Sequence, residues 1–429
     1  VPSSSARSRR AAVAVALVAA IALASCSDDS DATPSTTTQL LGVTTTVAAD
    51  DGVLRVGAVL PSGGTAPDMG VSMRAALDLA ESEINAAGGV LGRPIDVQVI
   101  DEGDSPATAD LAVQELVRDG YDAIIGPTSS LHLLETLDTA IRAGVFTCAP
   151  TASALALDDY PSDGLLIRTI PSDSLQATAI ARVADDTGRD NAVVAYLDDG
   201  YGRPFGAATE RALRDGGTTV LGSFAFAPGD VPDPATIAAI TTLDPGVVVV
   251  VADGVTGPAI VTALDTAAPF AQPQFVVNDA MRRPDAAAAP YDAGLASRIL
   301  GVSPRAHPQP GSFLDALTAT DPTAGGLFAA NAYDCLNLIA LAAQVSGNTV
   351  GAAFSGAFTS LSANGSSCPN FATCLDILDA GRDADYDGAM GFLTIDAAGL
   401  TTSAVFDVFA VDPDTGRDVH DSYLTIGDV

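Results

Sequence analysis

Three short segments of this chain have the residue types to hold an anion. Ser62-Gly63-Gly64, Thr128-Ser129-Ser130 and Thr151-Ala152-Ser153 each place hydroxyls or glycines directly after a β-branched, strand-like run. Hydroxyl and backbone N–H groups in that position are charge-assisted donors for a carboxylate, and open α/β sheets bind ligands beyond the carboxyl ends of their strands. The competing reading is a helix N-cap, which Ser and Thr also favour. We prefer the cap for Ser62 and Thr128, and ligand binding for Ser130 and Ser153. Other constellations are decoys. Gly200-x-Gly202-x3-Gly206 imitates a dinucleotide fingerprint but lacks the acid expected after the next strand. Asp383-x-Asp385-x-Asp387-Gly388 imitates half a calcium loop, yet Thr394 stands where the bidentate Glu belongs. No G-x-S-x-G occurs, and His132, His307 and His420 are scattered, so neither a catalytic triad nor a metal site is expected. The chain reads as a non-enzyme without cofactor.

The elements that must position those segments alternate. Short apolar runs at residues 53–60, 95–100, 123–125 and 145–148 are separated by helical periodicity over 68–87, 107–119 and 131–143, which marks βαβ units with parallel sheet. A second set follows. It has strands over 192–197, 219–226, 247–252, 275–277 and 300–302, with helices over 173–187, 204–215 and 255–266. Helices over 312–320 and 327–345 come next, then a strand pair, 391–396 with 404–411, joined through Ala397-Ala398-Gly399. About 380 residues after the N-terminal region exceed what one core usually organises, so an α/β protein of two lobes is expected.

Composition narrows the partners. Twenty basic against 53 acidic residues give a formal charge of −33, which argues against nucleic acid and against direct adhesion to anionic lipid. Arg7, Arg9 and Arg10 precede an uncharged apolar run at 11–24, shorter than a spanning helix, and Leu23-Ala24-Ser25-Cys26 closes it. This resembles a bacterial lipobox, which implies a signal peptide over 1–25 and a lipid-bearing Cys26. Residues 27–50 are rich in Ser, Thr and Asp and read as a tether, reaching roughly 25–30 Å as a flexible coil. Of the remaining cysteines, Cys368 and Cys374 sit close together in a loop-like stretch and are expected to form a disulfide. For Cys148 and Cys335, free buried thiols and a second bridge both remain open.

Seven colinear stretches carry a family resemblance: VLRVGAVLPSGGT (53–65), INAAGGVLGRPIDVQVID (84–101), GPTSS (126–130), APTAS (149–153), RTIPSDSLQ (168–176), DDGYGRPFG (198–206) and YDGAMGFLTIDAAG (386–399). Together they resemble the type I periplasmic binding proteins of the leucine/isoleucine/valine-binding class. The resemblance implies two doubly wound, Rossmann-like lobes joined by three crossover strands, near residues 168–171, 299–304 and 387–391. It places residues 51–171 and 304–388 in lobe I, and 172–303 and 389–429 in lobe II. It implies hinged capture of a small polar solute, an amino acid above all, for an ABC permease in the membrane. A ligand sensor for a signalling receptor, and a binding protein for urea or short amides, are the alternatives. By the same resemblance, Ser129 or Ser130 with Thr151, Ala152 and Ser153 face the ligand carboxylate. Tyr201 and Asp279 match its ammonium side, with Asp253 as a substitute for Asp279. The chain departs from the family in carrying Met69 and Val255 where aromatics are common, which weakens stacking on the ligand.

Overall fold

The structure is a computed structural model that describes residues 50–63, 67–229, 232–267, 272–282, 291–306, 311–391 and 393–427. The expected signal peptide, Cys26 and nearly all of the tether lie outside the described residues, as does Gly64.

The first sheet is built from β1 (Arg55–Leu60), β2 (Asp96–Asp101), β3 (Ala123–Ile125), β4 (Phe146–Ala149) and β5 (Leu166–Arg168), all parallel, in the order β2-β1-β3-β4-β5. Side chains alternate between two layers, as the pleat requires. Val56, Ala58, Ile125 and Phe146 enter the larger core with helices Pro67–Ala86 and Ala329–Ser346, while Val59 and Ile124 meet helix Pro106–Arg118 on the other face. That last helix starts where its sequence says it should. Ser105 and Thr108 form a reciprocal capping box, Pro106 occupies the first turn, and Ala109, Ala112, Val113 and Leu116 make the buried stripe.

The second sheet takes β6 (Asn191–Leu197), β7 (Thr219–Phe226), β8 (Val247–Val251), β9 (Gln274–Val277) and β10 (Ile299–Pro304) in parallel. A small parallel pair, β11 (Ser366–Cys368) with β12 (Ala384–Tyr386), belongs to neither large sheet. The chain then returns as β13 (Ala404–Val411) and β14 (Asp418–Ile426), antiparallel at the β10 edge, giving β14-β13-β10-β9-β8-β6-β7. The five valines of β8 are all buried, because parallel strands covered on both faces need apolar residues at every position. In both sheets the strand order reverses beside the first strand of the set, between β1 and β3 and between β6 and β8, and crevices for ligands form at such switch points. Two lobes of the same winding therefore present their loops as paired walls.

Three corrections to the sequence reading follow. Among the described residues of 391–396 none pairs with β13; they contribute one isolated bridge, Ile395 to Thr401, and β13 lies between β10 and β14. β14 is mostly exposed and polar, so it carries little of the burial pattern from which a strand is recognised. The third crossing comes later than residues 387–391. Leu393 and Ile395 still pack in the first core, the Arg168 N–H donates to the Gly399 carbonyl, and the chain reaches the second sheet only at Ala404. Gly399 is required there, since at φ +80° an added Cβ would lie 2.0 Å from the Leu166 carbonyl oxygen.

Cys368 and Cys374 are bonded, and so are Cys148 and Cys335, the pair the sequence left open. The second bridge ties the end of β4 to the middle of the helix Ala329–Ser346, across 187 residues of chain. Among the described residues no single helix is long and apolar enough to cross a membrane. A bent helix pair, Ala329–Ser346 with Gly351–Leu361, is apolar enough by composition, and its burial in the first core accounts for that.

Candidate functional site

On the first-lobe side, the hydroxyl loops are braced from within. Thr128 does not cap a helix: its N–H and its hydroxyl both bond to the buried Glu102 carboxylate at 2.8 Å. The Thr151 hydroxyl donates to the Thr128 carbonyl, and the Ser130 hydroxyl oxygen accepts the Ala154 N–H at 3.2 Å. Ser129 is the N-cap residue of helix Ser130–Ala143, without a capping bond from its side chain, so its hydroxyl is uncommitted. Ser62 also fails to cap a helix; it is exposed, and its N–H bonds to Asp101. Ala152 is fully buried and Ser153 nearly so. Arg168, fully buried, holds this loop by donating to the Ser153 and Ala154 carbonyls while pairing with Asp158 at 2.5 Å.

The opposite side is acidic and unfinished. Asp173, on the first turn of helix Asp173–Asp186 just after the first crossing, is fully buried, and neither carboxylate oxygen has a hydrogen-bond partner. The Ser153 hydroxyl lies beside it and, with the Arg168 charge, opposes the upward shift in part. Burial first, and the nearby Asp279 charge second, push the Asp173 pKa well above the usual carboxylate range. Asp279 is also raised by desolvation, against a bond of 2.9 Å from the Gln176 amide. Tyr201 is pushed well up by burial and then by the charges of Asp173 and Asp279. Asp279 and Tyr201 are densely surrounded yet keep partial exposure. Asn278, fully buried next to Tyr201, accepts the Ala252 N–H and has a side-chain nitrogen without an acceptor.

Of the residues expected from the sequence, Ser153, Tyr201 and Asp279 therefore converge around Asp173, while Ser129, Ser130, Thr151 and Ala152 form the adjoining loops. Asp173 and Gln176 had been assigned no ligand role, although both stand in RTIPSDSLQ. An acid on a first helical turn reads as a partner for the helix dipole, and nothing local reveals that tertiary packing seals it. Asp253, the substitute for Asp279, is already engaged: its Oδ1 accepts the Val255 and Thr256 N–H groups at the start of the following helix. Met69 packs against the first core and Val255 is exposed, so neither replaces an aromatic in the cleft. The glycine decoy is resolved by packing. An added Cβ at Gly202 would lie 2.2 Å from the Leu197 carbonyl oxygen, and the Asp199 carboxylate already takes the Tyr201 and Gly202 N–H groups that a phosphate would need.

Fold and site together define a two-lobed binder of the periplasmic kind. The periplasmic binding protein family model matches residues 53–412, and the chain belongs to that family. It is 27% identical over 378 residues to the chemotactic signal transduction system substrate-binding protein BasB of Halobacterium salinarum, covering 80% of this chain and 83% of that one. It is 29% identical over 180 residues to the Leu/Ile/Val-binding protein BraC3 of Rhizobium johnstonii; there the match spans 41% of this chain and only about half, 48%, of the relative. Among solved structures, the branched-chain amino acid transporter substrate-binding protein LivJ of Streptococcus pneumoniae, in complex with isoleucine, superposes with a TM-score of 0.63 at 20% identity, over 88% of this chain and all of that one. That likeness establishes the type I fold of two α/β lobes.

Proposed function

We propose that this protein captures an α-amino acid between its lobes and presents it, outside the cytoplasmic membrane, to an ABC permease. The observation that carries the reading is the carboxylate of Asp173, sealed from water beside Asp279, with neither oxygen in a well-formed hydrogen bond and only the Ser153 hydroxyl and the more distant Arg168 charge to offset its burial. A buried charge of that kind costs several kcal/mol unless something neutralises it. An ammonium group seated among Asp173, Asp279 and Tyr201 supplies both the charge and the donors. The uncommitted hydroxyl of Ser129 and the backbone of Thr151 to Ser153 then meet the ligand carboxylate across the cleft. With ammonium and carboxylate on opposite walls, only a closed cleft satisfies both, so binding and closure are one event. The family and the branched-chain amino acids bound by its relatives favour a leucine-, isoleucine- or valine-sized ligand. Lipid on Cys26 and a tether over residues 27–50 would keep the binder near its permease.

A second reading, the ligand-sensing subunit of a membrane receptor, is favoured by the likeness to BasB, a chemotaxis protein that aligns along most of this chain. Both readings share the amino-acid site. A thermal-shift series with the amino acids, urea and short amides, each hit confirmed by calorimetry, tests it. Saturation at a hundred times the dissociation constant adds about 2.7 kcal/mol of stability. A shift with an aliphatic amino acid that disappears in Asp279→Ala supports capture; a shift confined to uncharged solutes overturns it.

A further inference from the structure

Behind the cleft, where the chain crosses between lobes, lies a cavity of about 720 Å³ that the amino-acid site does not use. Its walls include Thr169 to Pro171, Pro304 with Arg305, and Ser403 to Val405, so every connection between the two sheets touches it. The size falls within the ordinary range for small-molecule sites. Two polar groups in its lining are unfinished. Asn331 is 1% exposed, and its side-chain nitrogen donates to the Thr169 carbonyl at 2.8 Å, which fixes the amide orientation and leaves Oδ1 without a donor. Arg305 donates through one terminal nitrogen to the Met390 carbonyl, but its Nε is buried without an acceptor. Among the described residues no carboxylate lies within ion-pair range of Arg305. The acidic groups whose charge acts on it are Tyr423 and Asp334, and Asp334 is engaged by the Tyr386 hydroxyl and the Ala389 and Met390 N–H groups. Desolvation lowers the pKa of the guanidinium, the signature of a cation short of a counter-charge. The rest of the wall sets the apolar side chains of Leu79, Ile170, Phe313 and Leu393 beside Tyr333, whose hydroxyl donates to Glu83 in the same wall.

We propose that this hinge cavity is a second ligand site, for a small hydroxy acid that sets its carboxylate on Arg305, donates its hydroxyl to Asn331 Oδ1 and lays an apolar body against Phe313 and Leu393. The ligand class differs from that of the cleft, since the charge without an ion-pair partner in this wall is the cation Arg305, whereas the acid in the wall, Glu83, already accepts from the Tyr333 hydroxyl. Because the walls belong to both lobes and to the connections between them, occupancy must favour one hinge angle over another. Linkage then makes the two sites change each other's affinity by the same factor.

The test is a calorimetric titration of the purified full chain with 3-phenyllactate, which has the carboxylate, hydroxyl and ring but no ammonium. Wild type is expected to bind it. Asp279→Asn, which disables the cleft, should leave that binding within about twofold. Arg305→Gln should weaken it about tenfold or more, as loss of a charged hydrogen-bond partner does. Ala316→Trp, which fills the cavity from a wall outside the crossings, should abolish it and covers the case in which Arg305→Gln does not fold. No heat at millimolar 3-phenyllactate, or binding that disappears in Asp279→Asn and survives Ala316→Trp, overturns the proposal. The amino-acid reading of the cleft can fail while this site stands, and the reverse holds equally.

Discussion

The two walls of the cleft are finished to different degrees. On the first-lobe side each loop leans on another: Thr151 on Thr128, Thr128 on Glu102, Ser130 on Ala154, and the Ser153 carbonyl on the buried guanidinium of Arg168. On the other side Asp173, Gln176 Oε1 and Asn278 Nδ2 are buried with bonding capacity unused. In the proposed reading, the braced wall receives the ligand carboxylate and loses little entropy when the ligand arrives. The unfinished wall keeps a destabilising charge until a cation relieves it. Preorganisation on one side and stored electrostatic free energy on the other together make ligand and closure depend on each other.

The largest break in this contrast comes from removing the Cys148–Cys335 bridge, which anchors β4 directly before the Thr151-Ala152-Ser153 loop. The loop-closure model gives about 5 kcal/mol for so long a loop, against about 2 kcal/mol for the short Cys368–Cys374 loop. The Cys148→Ser/Cys335→Ser double variant should therefore melt well below the Cys368→Ser/Cys374→Ser variant in parallel calorimetric scans; equal losses would show that the long bridge does not brace the wall.

Next in size is the acidic wall itself. Asp173→Asn or Asp279→Asn should cost about 2–4 kcal/mol of amino-acid affinity, roughly 30- to 1,000-fold, by removing one partner of a buried charge pair. The unliganded Asp173→Asn protein should melt higher than wild type, because its charge is unpaid for when the cleft is empty. A variant that loses affinity and stability together would make Asp173 structural.

The pH response carries a definite sign. Asp173 and Asp279 both have folded pKa values raised above their unfolded ones, so the folded state binds more protons. Their penalty is absent below the unfolded value near 3.8 and grows as pH rises toward the folded values, and unliganded stability should fall over that interval. Asp334, raised to about 7 by burial, extends the decline to neutrality. Each group contributes at most about 1.4 kcal/mol per pH unit. Saturating ligand should flatten the part due to Asp173 and Asp279, with proton release visible as a buffer-dependent binding enthalpy. A decline of the same slope with and without ligand would separate these acids from the binding event.

The smallest effect probes the braced side. Glu102→Gln keeps the shape but exchanges an acceptor for a donor opposite the Thr128 N–H, and should weaken amino-acid binding by about 1 kcal/mol, a few-fold, without altering the pH response. Loss as large as that of Asp279→Asn would mean that the two walls are not distinct in kind.

Much of the architecture was legible in the chain because it rests on local signals. β3, β7 and β13 fall on the expected residues, since short apolar runs bounded by turn residues can be little else. The Ser105 box and Gly144 in the left-handed region mark helix ends by chemistry confined to one turn. β14 was not legible, because it is an exposed edge whose stability comes from its pairing with β13. The site divides in the same way. Hydroxyls after strands suggest an anion wall from sequence alone, and the colinear motifs announce the family, which the family model matches over residues 53–412. That Asp173 is sealed in the interior, that Asp279 accepts a bond from Gln176, and that Cys148 reaches Cys335 were decided only when segments far apart in the chain were packed together. Local sequence sets what each residue can offer, but desolvation and pairing are properties of the surroundings, and those exist only in the folded state.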